Sequence, residues 1–151
     1  MSQPKLTEVR DFALAEMAKY LDLNEWSFGF DYAKRRFGLC NYTEKKISLS
    51  KYLVLHHSDD EIKQVLLHEI AHAMSGKRAG HSKRWLATAI SIGYRNEKLD
   101  GAQIANETAK FRGVCPNGHE HFRFRKPTRL LSCAKCSSTF SRRFLISWSE
   151  R

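Results

Sequence analysis

The chain has 151 residues and carries 26 Lys+Arg against 16 Asp+Glu, which gives a formal net charge of +10. Apolar residues make up 42% of the sequence, which excludes a disordered tail, and no apolar run approaches the roughly 18 residues that cross a membrane. The first residues contain no apolar signal-peptide core, so we expect a soluble intracellular protein without a membrane partner.

The first third of the chain predicts a helix followed by a small sheet. Apolar residues recur at helical spacing from about Thr7 to Leu21. Over residues 24–54, aromatic and aliphatic residues alternate with smaller or polar ones, which is a strand pattern. The simplest arrangement is an antiparallel sheet of about three strands, with Gly38 and Asn41 at turns or bulges.

Two more helices are predicted in the middle of the chain. Ser58 followed by Glu61 fits a capping box, and the helix that begins there is apolar nearly all round, as expected of a buried central helix. Gly76 is a natural end for that helix. Residues 95–110 are expected to form a polar, helical connector. The helix before this connector runs from about Ser82 to Ile92, with an inward face made of Trp85, Leu86, Ala89 and Ile90.

Charge and cysteine content both change near residue 110. Residues 1–109 carry 16 Lys+Arg against 14 Asp+Glu, whereas residues 110–151 carry 10 against 2. Three of the four cysteines lie in this basic tail, and the remaining one, Cys40, is expected to be a buried strand residue. The pattern therefore predicts an α+β domain over residues 1–110 and a small β domain over residues 111–151. Its candidate strands are residues 122–125, 139–140 and 144–146.

The strongest motif is His68-Glu69-Ile70-Ala71-His72, which matches H-E-x-x-H inside the predicted central helix. Residues four apart lie on one face of a helix, so both imidazoles can bind one Zn²⁺ while Glu69 reaches a water on the metal. A catalytic zinc ion of this type has three protein ligands and one open position. The motif therefore requires a third ligand elsewhere in the chain.

His81, nine residues after His72, is the best candidate for that ligand. Gly76 ends the helix, and the next residues let the chain turn back toward the metal. His56 and His57 could compete, but they precede the capping box and are expected in an exposed loop.

The predicted chemistry is hydrolysis of peptide bonds. Zinc in such a site lowers the pKa of its bound water toward about 7 and polarises the substrate carbonyl. Glu69 would take the proton of that water and pass it to the leaving amine.

The cysteines of the tail predict a second, structural zinc site. Cys115 and His119 form one half of it, and Cys133 with Cys136 forms the other, which gives a Cys₃His set. A glycine stands where another cysteine would make the first half regular, so His119 is expected to replace that cysteine, with His121 as the alternative. A ribbon that holds no metal is the other interpretation of the irregular spacing.

Cationic and aromatic residues alternate around these cysteines. Bases stack on aromatic rings while cations meet phosphates, so this composition favours single-stranded or distorted DNA, without base-specific readout. Alternatively, the aromatic residues only form the core of the small domain and the charged side chains are solvated. The two interpretations are compatible, because alternation along a strand places the aromatic residues on one face and the arginines on the other. The expected DNA contacts are Arg123, Arg125, Lys126, Arg129, Arg142 and Arg143.

The zinc motif and its surroundings resemble the SprT-like (Spartan-type) metalloprotease family. The resemblance rests on the H-E-x-x-H motif, on His81 followed by Trp85, and on the segments 37–42, 47–50 and 65–67. It spans about residues 6–147 and implies a zincin-like domain followed by a zinc ribbon. One departure is Ser82, because the family often has glycine after the third histidine. The implied zinc ligands and general base are His68, His72, His81 and Glu69.

The resemblance also implies a function and a location. Eukaryotic relatives digest proteins that are crosslinked to DNA, with stimulation by DNA, so a monomeric protease in the cytoplasm, the nucleoid or the nucleus is expected. Two alternatives remain open. The chain could be a DNA-binding zinc protein without proteolytic activity, or a general zinc peptidase that is independent of DNA.

Overall fold

The structure, a computed structural model, describes residues 3–99 and 109–151. The chain divides into two units, Met1–Leu99 and Asp100–Arg151. The domain boundary expected between residues 110 and 111 stays a prediction. Most of the helical connector expected over residues 95–110 lies outside the described residues, and residues 95–99, which are described, form no helix.

The first unit combines helices with a small sheet, as the sequence predicts. The helices expected from about Thr7, Ser58 and Ser82 are present, although the first already begins at Gln3. Within the described residues, every helix is too short or too polar to cross a lipid bilayer. A 3₁₀ turn, Lys77–Ala79, lies between the last two helices. In chain order the elements are α1 (Gln3–Ala18), β1 (Ser27–Asp31), β2 (Gly38–Asn41), β3 (Lys46–Ser50), α2 (Lys51–His56), α3 (Asp59–Ser75) and α4 (Lys83–Ser91).

The sequence does not predict α2, because the strand pattern continues through residue 54. Ser50 ends the strand and begins the helix: its hydroxyl accepts a hydrogen bond from the backbone N–H of Tyr52 at 3.2 Å. Leu53 and Val54 are buried by this short helix. A single N-cap therefore converts the apparent end of a strand into one and a half turns of helix.

The three strands of the first unit form a mixed sheet, so the expectation of an antiparallel sheet is wrong. The strand order is β1-β3-β2, with β2 antiparallel and β1 parallel to β3. Residues 42–45 close a hairpin, in which Asn41 accepts a hydrogen bond from the Glu44 N–H at 3.0 Å, as expected of a turn residue. Residues 32–37 connect β1 to β2, which lie two strand spacings apart, about 10 Å. Strand β3 fills the position between them.

Helix α3 lies in the core of the first unit, as expected. The side chains of Leu66, Leu67 and Ile70 are fully buried. They belong to one apolar cluster with Met17 of α1 and Ile47 of β3. The helix is therefore held from both sides, which fixes the position of any polar side chain that it carries.

Both ends of α3 have the predicted caps. The Ser58 hydroxyl accepts a hydrogen bond from the Glu61 N–H, and the Glu61 side chain accepts one from the Ser58 N–H, each at 3.2 Å. Gly76 ends the helix with a φ of 86°, a region that glycine enters without a steric penalty. These local bonds explain why the bounds of α3 follow from sequence.

Replacing Ser58 by Ala is expected to lower the free energy of unfolding of the first unit by about 1 kcal/mol. The substitution leaves the N–H groups of the first turn without the hydroxyl acceptor. Urea denaturation of the wild-type and variant proteins measures the change. Ser27→Ala, at an exposed strand position, serves as the control, and an equal loss in both variants would contradict the role of the cap.

Helix α4 buries a narrower face than expected. Trp85 and Ala89 are buried, and Leu86 packs at the edge of their cluster. Ile90 is 57% exposed, so its expected inward position is wrong. At about 100° per residue, Ile90 lies about 140° round the helix from Trp85, which is beyond the buried face.

The second unit contains an antiparallel sheet of three strands, β4 (Phe111–Val114), β5 (Glu120–Arg123) and β6 (Ser147–Glu150), in the order β5-β4-β6. Of the strand expected over residues 122–125, only the first half belongs to β5. Residues 139–140 form no strand, and the backbone N–H of Thr139 donates instead to the Ser137 hydroxyl at 3.4 Å. Residues 144–146 contribute only an isolated bridge, between Leu145 and Ser132.

Candidate metal centres

Three histidines from separate parts of the first unit converge at one point. His68 and His72 lie one turn apart on α3, and His81 follows the 3₁₀ turn ahead of α4. The Nε2 atom of His72 is 3.2 Å from Nε2 of His68 and 3.0 Å from Nε2 of His81. The Nε2 atoms of His68 and His81 are 3.1 Å apart. The structure thus brings together the three predicted ligands.

This triangle of nitrogen atoms fits a metal ion. A tetrahedral zinc ion with bonds of about 2.0–2.1 Å keeps its nitrogen ligands about 3.3 Å apart. Three imidazole nitrogens that face one another cannot all be satisfied by hydrogen bonds within the triangle, because a neutral ring has one donor and one acceptor. The set His68, His72 and His81 is one of two groups in the described residues that could hold a metal ion.

Both histidines of α3 are in the protonation state that binds metals. Burial lowers the pKa of His68 to about 4, and the neighbouring His72 and His81 contribute to the shift. Burial and the proximity of His81 lower the pKa of His72 to about 4 as well. At neutral pH both rings are uncharged, and neutral imidazole is the form whose nitrogen binds a cation.

The indole ring of Trp85 packs against all three histidines. Its centroid lies 4.7 Å from the ring of His68, 5.0 Å from that of His72 and 4.8 Å from that of His81. The Ser82 hydroxyl accepts a hydrogen bond from the backbone N–H of Trp85 at 3.4 Å and so caps the start of α4. Ser82 has a φ of −70°, which any residue adopts, so a serine directly after His81 causes no strain.

Tyr94 is a site residue that the sequence analysis misses. Its hydroxyl lies 3.4 Å from Nδ1 of His68 and 3.4 Å from Oδ1 of Asn96, to which it can donate a hydrogen bond. Because Nε2 of His68 faces the cluster, its Nδ1–H is the group that donates to the tyrosine oxygen, and this bond orients the ring. Tyr94 lies in a segment without regular structure, so periodicity contains no signal for it.

Glu69 lines a pocket of about 260 Å³ together with His68 and Tyr94. The residue is only 8% exposed, and its carboxylate forms no ion pair or hydrogen bond within the described residues. Burial raises the pKa of this carboxyl group to about 7, against the opposing charge of Arg36. A buried carboxyl group without a partner destabilises a fold, so its position beside three histidines indicates a functional role.

Gly38 permits this placement of Glu69. It is the first residue of β2 and pairs with Leu49 in regular register, so the expected turn or bulge at this position is wrong. A Cβ atom on Gly38 would lie 3.0 Å from Cγ of Glu69 and 3.2 Å from its Oε1. Strand β2 therefore approaches α3 closely at the candidate base. A glycine inside a strand pattern is a signal for such an approach.

The two competing histidines do not reach the cluster. His57 is the C-cap residue of α2, and its side chain is 6% exposed, so the expectation of an exposed loop residue is wrong for it. Its Nδ1 lies 3.2 Å from Oε2 of Glu61, and its ring packs edge-on against Phe37. Neither His56 nor His57 belongs to a metal group among the described residues. Cys40 is buried in β2, as expected.

Four side chains of the second unit form the other candidate metal group: Cys115, His119, Cys133 and Cys136. Nδ1 of His119 lies 3.4, 3.5 and 3.3 Å from the sulfur atoms of the three cysteines, in that order. The sulfur atoms of Cys115 and Cys136 are 3.8 Å apart. A tetrahedral zinc ion separates two thiolates by about 3.8 Å and a thiolate from an imidazole nitrogen by about 3.6 Å. The distances fit a Cys₃His site.

His121 lies outside this group, so the structure places His119 in the fourth position. Nε2 of His121 approaches the sulfur of Cys133 at 3.2 Å, where its N–H can donate to a thiolate. Nδ2 of Asn117 donates to the sulfur of Cys136 at 3.1 Å. Hydrogen bonds of this kind stabilise metal-binding thiolates and orient them.

The cations expected to contact DNA are exposed on the second unit. Phe122 and Phe124 are half-buried while Arg123 and Arg125 are exposed, so the expected two-faced pattern is present even beyond the end of β5. The guanidinium group of Arg123 lies 5.8 Å from the ring centroid of Trp148, so cations and aromatic rings are neighbours here. The exposed cations are Arg123, Arg125, Lys126, Arg129, Arg142 and Arg143.

Comparison with known protein families gives a match that contains most of the first unit. The chain matches the model of the SprT-like family over residues 9–109, which is more than half of its length. This stretch contains the three converging histidines and Glu69, and it ends before the cysteine cluster. No curated protein matches the chain.

Proposed function

Since the chain belongs to the SprT-like family, whose domain is of the metalloprotease type, we propose that it is a zinc-dependent endopeptidase acting on proteins associated with or crosslinked to DNA. The observation that carries the proposal is the convergence of three imidazole nitrogens beside the buried carboxyl group of Glu69. Three histidine ligands with an open fourth position are a donor set of hydrolytic zinc sites.

The residues of the first unit have distinct roles in this reaction. His68, His72 and His81 would hold the ion, and zinc when bound supplies Lewis-acid chemistry that polarises the scissile carbonyl and makes water more acidic. A carboxylate oxygen of Glu69 takes one proton from the water that attacks the carbonyl carbon. The same oxygen returns the proton to the amide nitrogen as the C–N bond breaks, so Glu69 ends the reaction unchanged.

The second unit supports the DNA part of the proposal. Cys115, His119, Cys133 and Cys136 would hold a structural zinc ion, which stabilises a unit with a small apolar core. Residues 110–151 carry 10 Lys+Arg against 2 Asp+Glu, so this unit attracts phosphates. Its half-buried aromatic rings beside exposed arginines suit single-stranded or distorted DNA, where bases are free to stack.

A cleavage assay on a DNA-bound protein tests the proposed function. The zinc-loaded chain is incubated with a substrate protein crosslinked to a single-stranded oligonucleotide, and the products are followed by gel electrophoresis. We expect cleavage to be at least about tenfold faster than for the same protein without DNA, because binding to one strand raises the local concentration. Equal rates would support a general zinc peptidase instead, and binding without any cleavage would support a non-proteolytic DNA-binding protein.

Neutralising four arginines of the second unit is expected to weaken DNA binding and reduce its salt dependence. If each arginine contacts one phosphate, the slope of log K against log[salt] falls by about 2.8, at about 0.7 per contact with a single strand. Fluorescence anisotropy of a labelled oligonucleotide over a salt series measures the slope. The variant combines Arg123→Gln, Arg125→Gln, Arg142→Gln and Arg143→Gln.

A matched variant of the first unit controls for total charge. It removes the same number of positive charges from lysines of the first unit, so a slope that falls equally in both variants would contradict specific contacts by the arginines. If the slope of log K against log[salt] in the arginine variant equals that of the wild type, the proposed phosphate contacts of the arginines are contradicted as well. The control substitutions are Lys19→Gln, Lys45→Gln, Lys63→Gln and Lys98→Gln.

A further inference from the structure

Another cavity of the first unit is lined by two cations and, among the residues that the structure describes, by no carboxylate. It has a volume of about 240 Å³ and is lined by Leu6, Thr7, Arg10, Phe30 and Lys51. Neither of its two cations forms an ion pair within the described part of the chain. By contrast, Lys5, Lys19 and Lys45 of the same unit each pair with a carboxylate. We call this cavity the Arg10–Lys51 pocket.

The parallel strand pair explains where this pocket forms. Strands β1 and β3 run parallel and end at Asp31 and Ser50. The residues that follow them, Tyr32 and Lys51, therefore emerge at the same edge of the sheet. The crevice outside the carboxyl ends of parallel strands is a recurrent place for ligands, because the chain departs there in different directions.

Aromatic rings hold both cations of the pocket in place. Nζ of Lys51 lies 4.3 Å from the ring centroid of Tyr32 and donates a hydrogen bond to its hydroxyl at 2.6 Å. The guanidinium group of Arg10 lies 5.3 Å from the ring centroid of Phe30 and donates to the carbonyl of Phe28 at 3.4 Å. Cations that are already ordered lose little conformational freedom when they bind an anion.

The acidic residue at the end of β1, Asp31, interacts with residues outside the pocket. Asp31 accepts hydrogen bonds from Ser48 at 2.9 Å and pairs with Arg36 at 3.2 Å. Two more cations, Lys34 and Arg35, are exposed in the segment that follows β1. Asp31 is therefore engaged by Ser48 and Arg36, and the segment after β1 adds further cationic side chains to this edge of the sheet.

Tyr32 adds a flat, accessible ring to this charged edge. The residue is 66% exposed, more than any other large apolar or aromatic residue that the structure describes as exposed. Phosphate groups meet cations and bases stack on rings, so charge and ring together match a nucleotide strand more closely than a simple inorganic anion.

We propose that the Arg10–Lys51 pocket binds a phosphodiester group of single-stranded DNA, with a neighbouring base stacked on Tyr32. The choice of DNA rests on the proposed function, which places the strand on the second unit. The inference adds a separate contact on the unit that carries the histidine cluster, although residues 1–109 have nearly balanced charge. A strand held by this unit would present its attached protein to the same unit that cleaves it.

Binding of a fluorescein-labelled oligothymidylate to the full zinc-loaded chain tests this pocket. In the double variant Arg10→Gln with Lys51→Gln, two phosphate contacts are lost, so the salt slope is expected to fall by about 1.4 and the Kd at 0.1 M salt to rise roughly 25-fold. Lys19→Gln with Lys45→Gln removes the same charge from ion-paired lysines and is expected to change the Kd by about twofold or less.

Tyr32 is tested separately from the charges. Tyr32→Leu is expected to weaken binding of the oligothymidylate by about 5–100-fold, as loss of a stacked base does. Binding of an abasic strand of equal length should weaken by a smaller factor, because that strand loses only the contact by which Tyr32 positions Lys51. Tyr32→Phe keeps the ring and should bind the oligothymidylate nearly as well as the wild type. Ultraviolet crosslinking of a 5-iodouracil strand should mark Tyr32, as located by mass spectrometry.

The outcomes separate this inference from the proposed function. A wild-type slope in the Arg10/Lys51 variant, with crosslinks confined to residues 111–151, would overturn the pocket but leave DNA-directed cleavage intact. Equal losses in the Arg10/Lys51 and Lys19/Lys45 variants would also overturn it, because they would report total charge only. If the wild-type chain binds no oligothymidylate, both the pocket and the DNA part of the proposed function fail, whereas peptide cleavage can still be observed.

Discussion

Replacing Glu69 by Gln is expected to reduce peptide-bond cleavage by about 10²–10⁴-fold, because an amide cannot take the proton of the attacking water. Glutamine has nearly the same volume as glutamate, so it fits beside Gly38, where the space is tight. Burial already favours the neutral form of this residue by raising its pKa to about 7, so loss of the charge does not strain the fold. The rate is measured on the crosslinked substrate and on a free peptide.

The pattern of kinetic change distinguishes a base from a structural residue. A group that acts only in the transition state lowers kcat with little change in KM. Zinc content should remain at the wild-type value in Glu69→Gln, since the three histidines are intact. Glu8→Gln, the same change at an exposed position of α1, should leave the rate unchanged. Wild-type activity in Glu69→Gln would remove the basis for the proposed mechanism.

Replacing Cys133 by Ser is expected to unfold the sheet of the second unit and to remove one of two bound zinc ions. Cys133 is fully buried, and its sulfur lies 3.5 Å from Nδ1 of His119. In small zinc modules, metal binding contributes about 10–16 kcal/mol to folding, so loss of one thiolate ligand outweighs the other interactions of a unit this small. Zinc content by mass spectrometry and limited proteolysis of residues 111–151 measure both effects.

The remaining cysteine of the chain offers a matched control for this variant. Cys40→Ala removes a buried thiol from β2, outside either metal group, and should retain both zinc ions. The first unit of Cys133→Ser should still cleave a free peptide, because the three histidines of its cluster all belong to the first unit. A single zinc ion in the wild-type chain, unchanged by Cys133→Ser, would show that the cysteine cluster does not hold metal.

The bounds of α3 and α4 and the two histidines of α3 could be predicted because the interactions that define them are local. The Ser58–Glu61 capping box joins residues three apart, and Ser82 caps α4 through Trp85. His68 and His72 share a helix face by spacing alone. Such bonds form within one or two turns, so their signal lies in a short stretch of sequence. The family resemblance of the first unit rests on the same short motifs.

Other features of the two units depended on residues that are far apart in the chain. Alternation predicts strands, but it contains no information on whether β3 lies outside β2 or between β2 and β1. The sequence predicts a turn or bulge at Gly38, whereas the glycine is required by the close approach to Glu69, a residue on another element. Tyr94 meets His68 through a segment without periodicity. The choice of His119 over His121 depends on which ring reaches all three sulfur atoms, since His121 approaches only that of Cys133.

By itself, the sequence determined helices α1, α3 and α4, the approximate strands of the first unit and the candidate donor residues, with His119 and His121 both open. Only the tertiary structure decided the mixed order of the sheet, the convergence of His81 on α3 and the pairing of Arg10 with Lys51 in one pocket. The physical reason is that local patterns record the conformational preferences of short segments. Which segments become neighbours depends on packing of the whole unit, where apolar burial and hydrogen bonding are satisfied together.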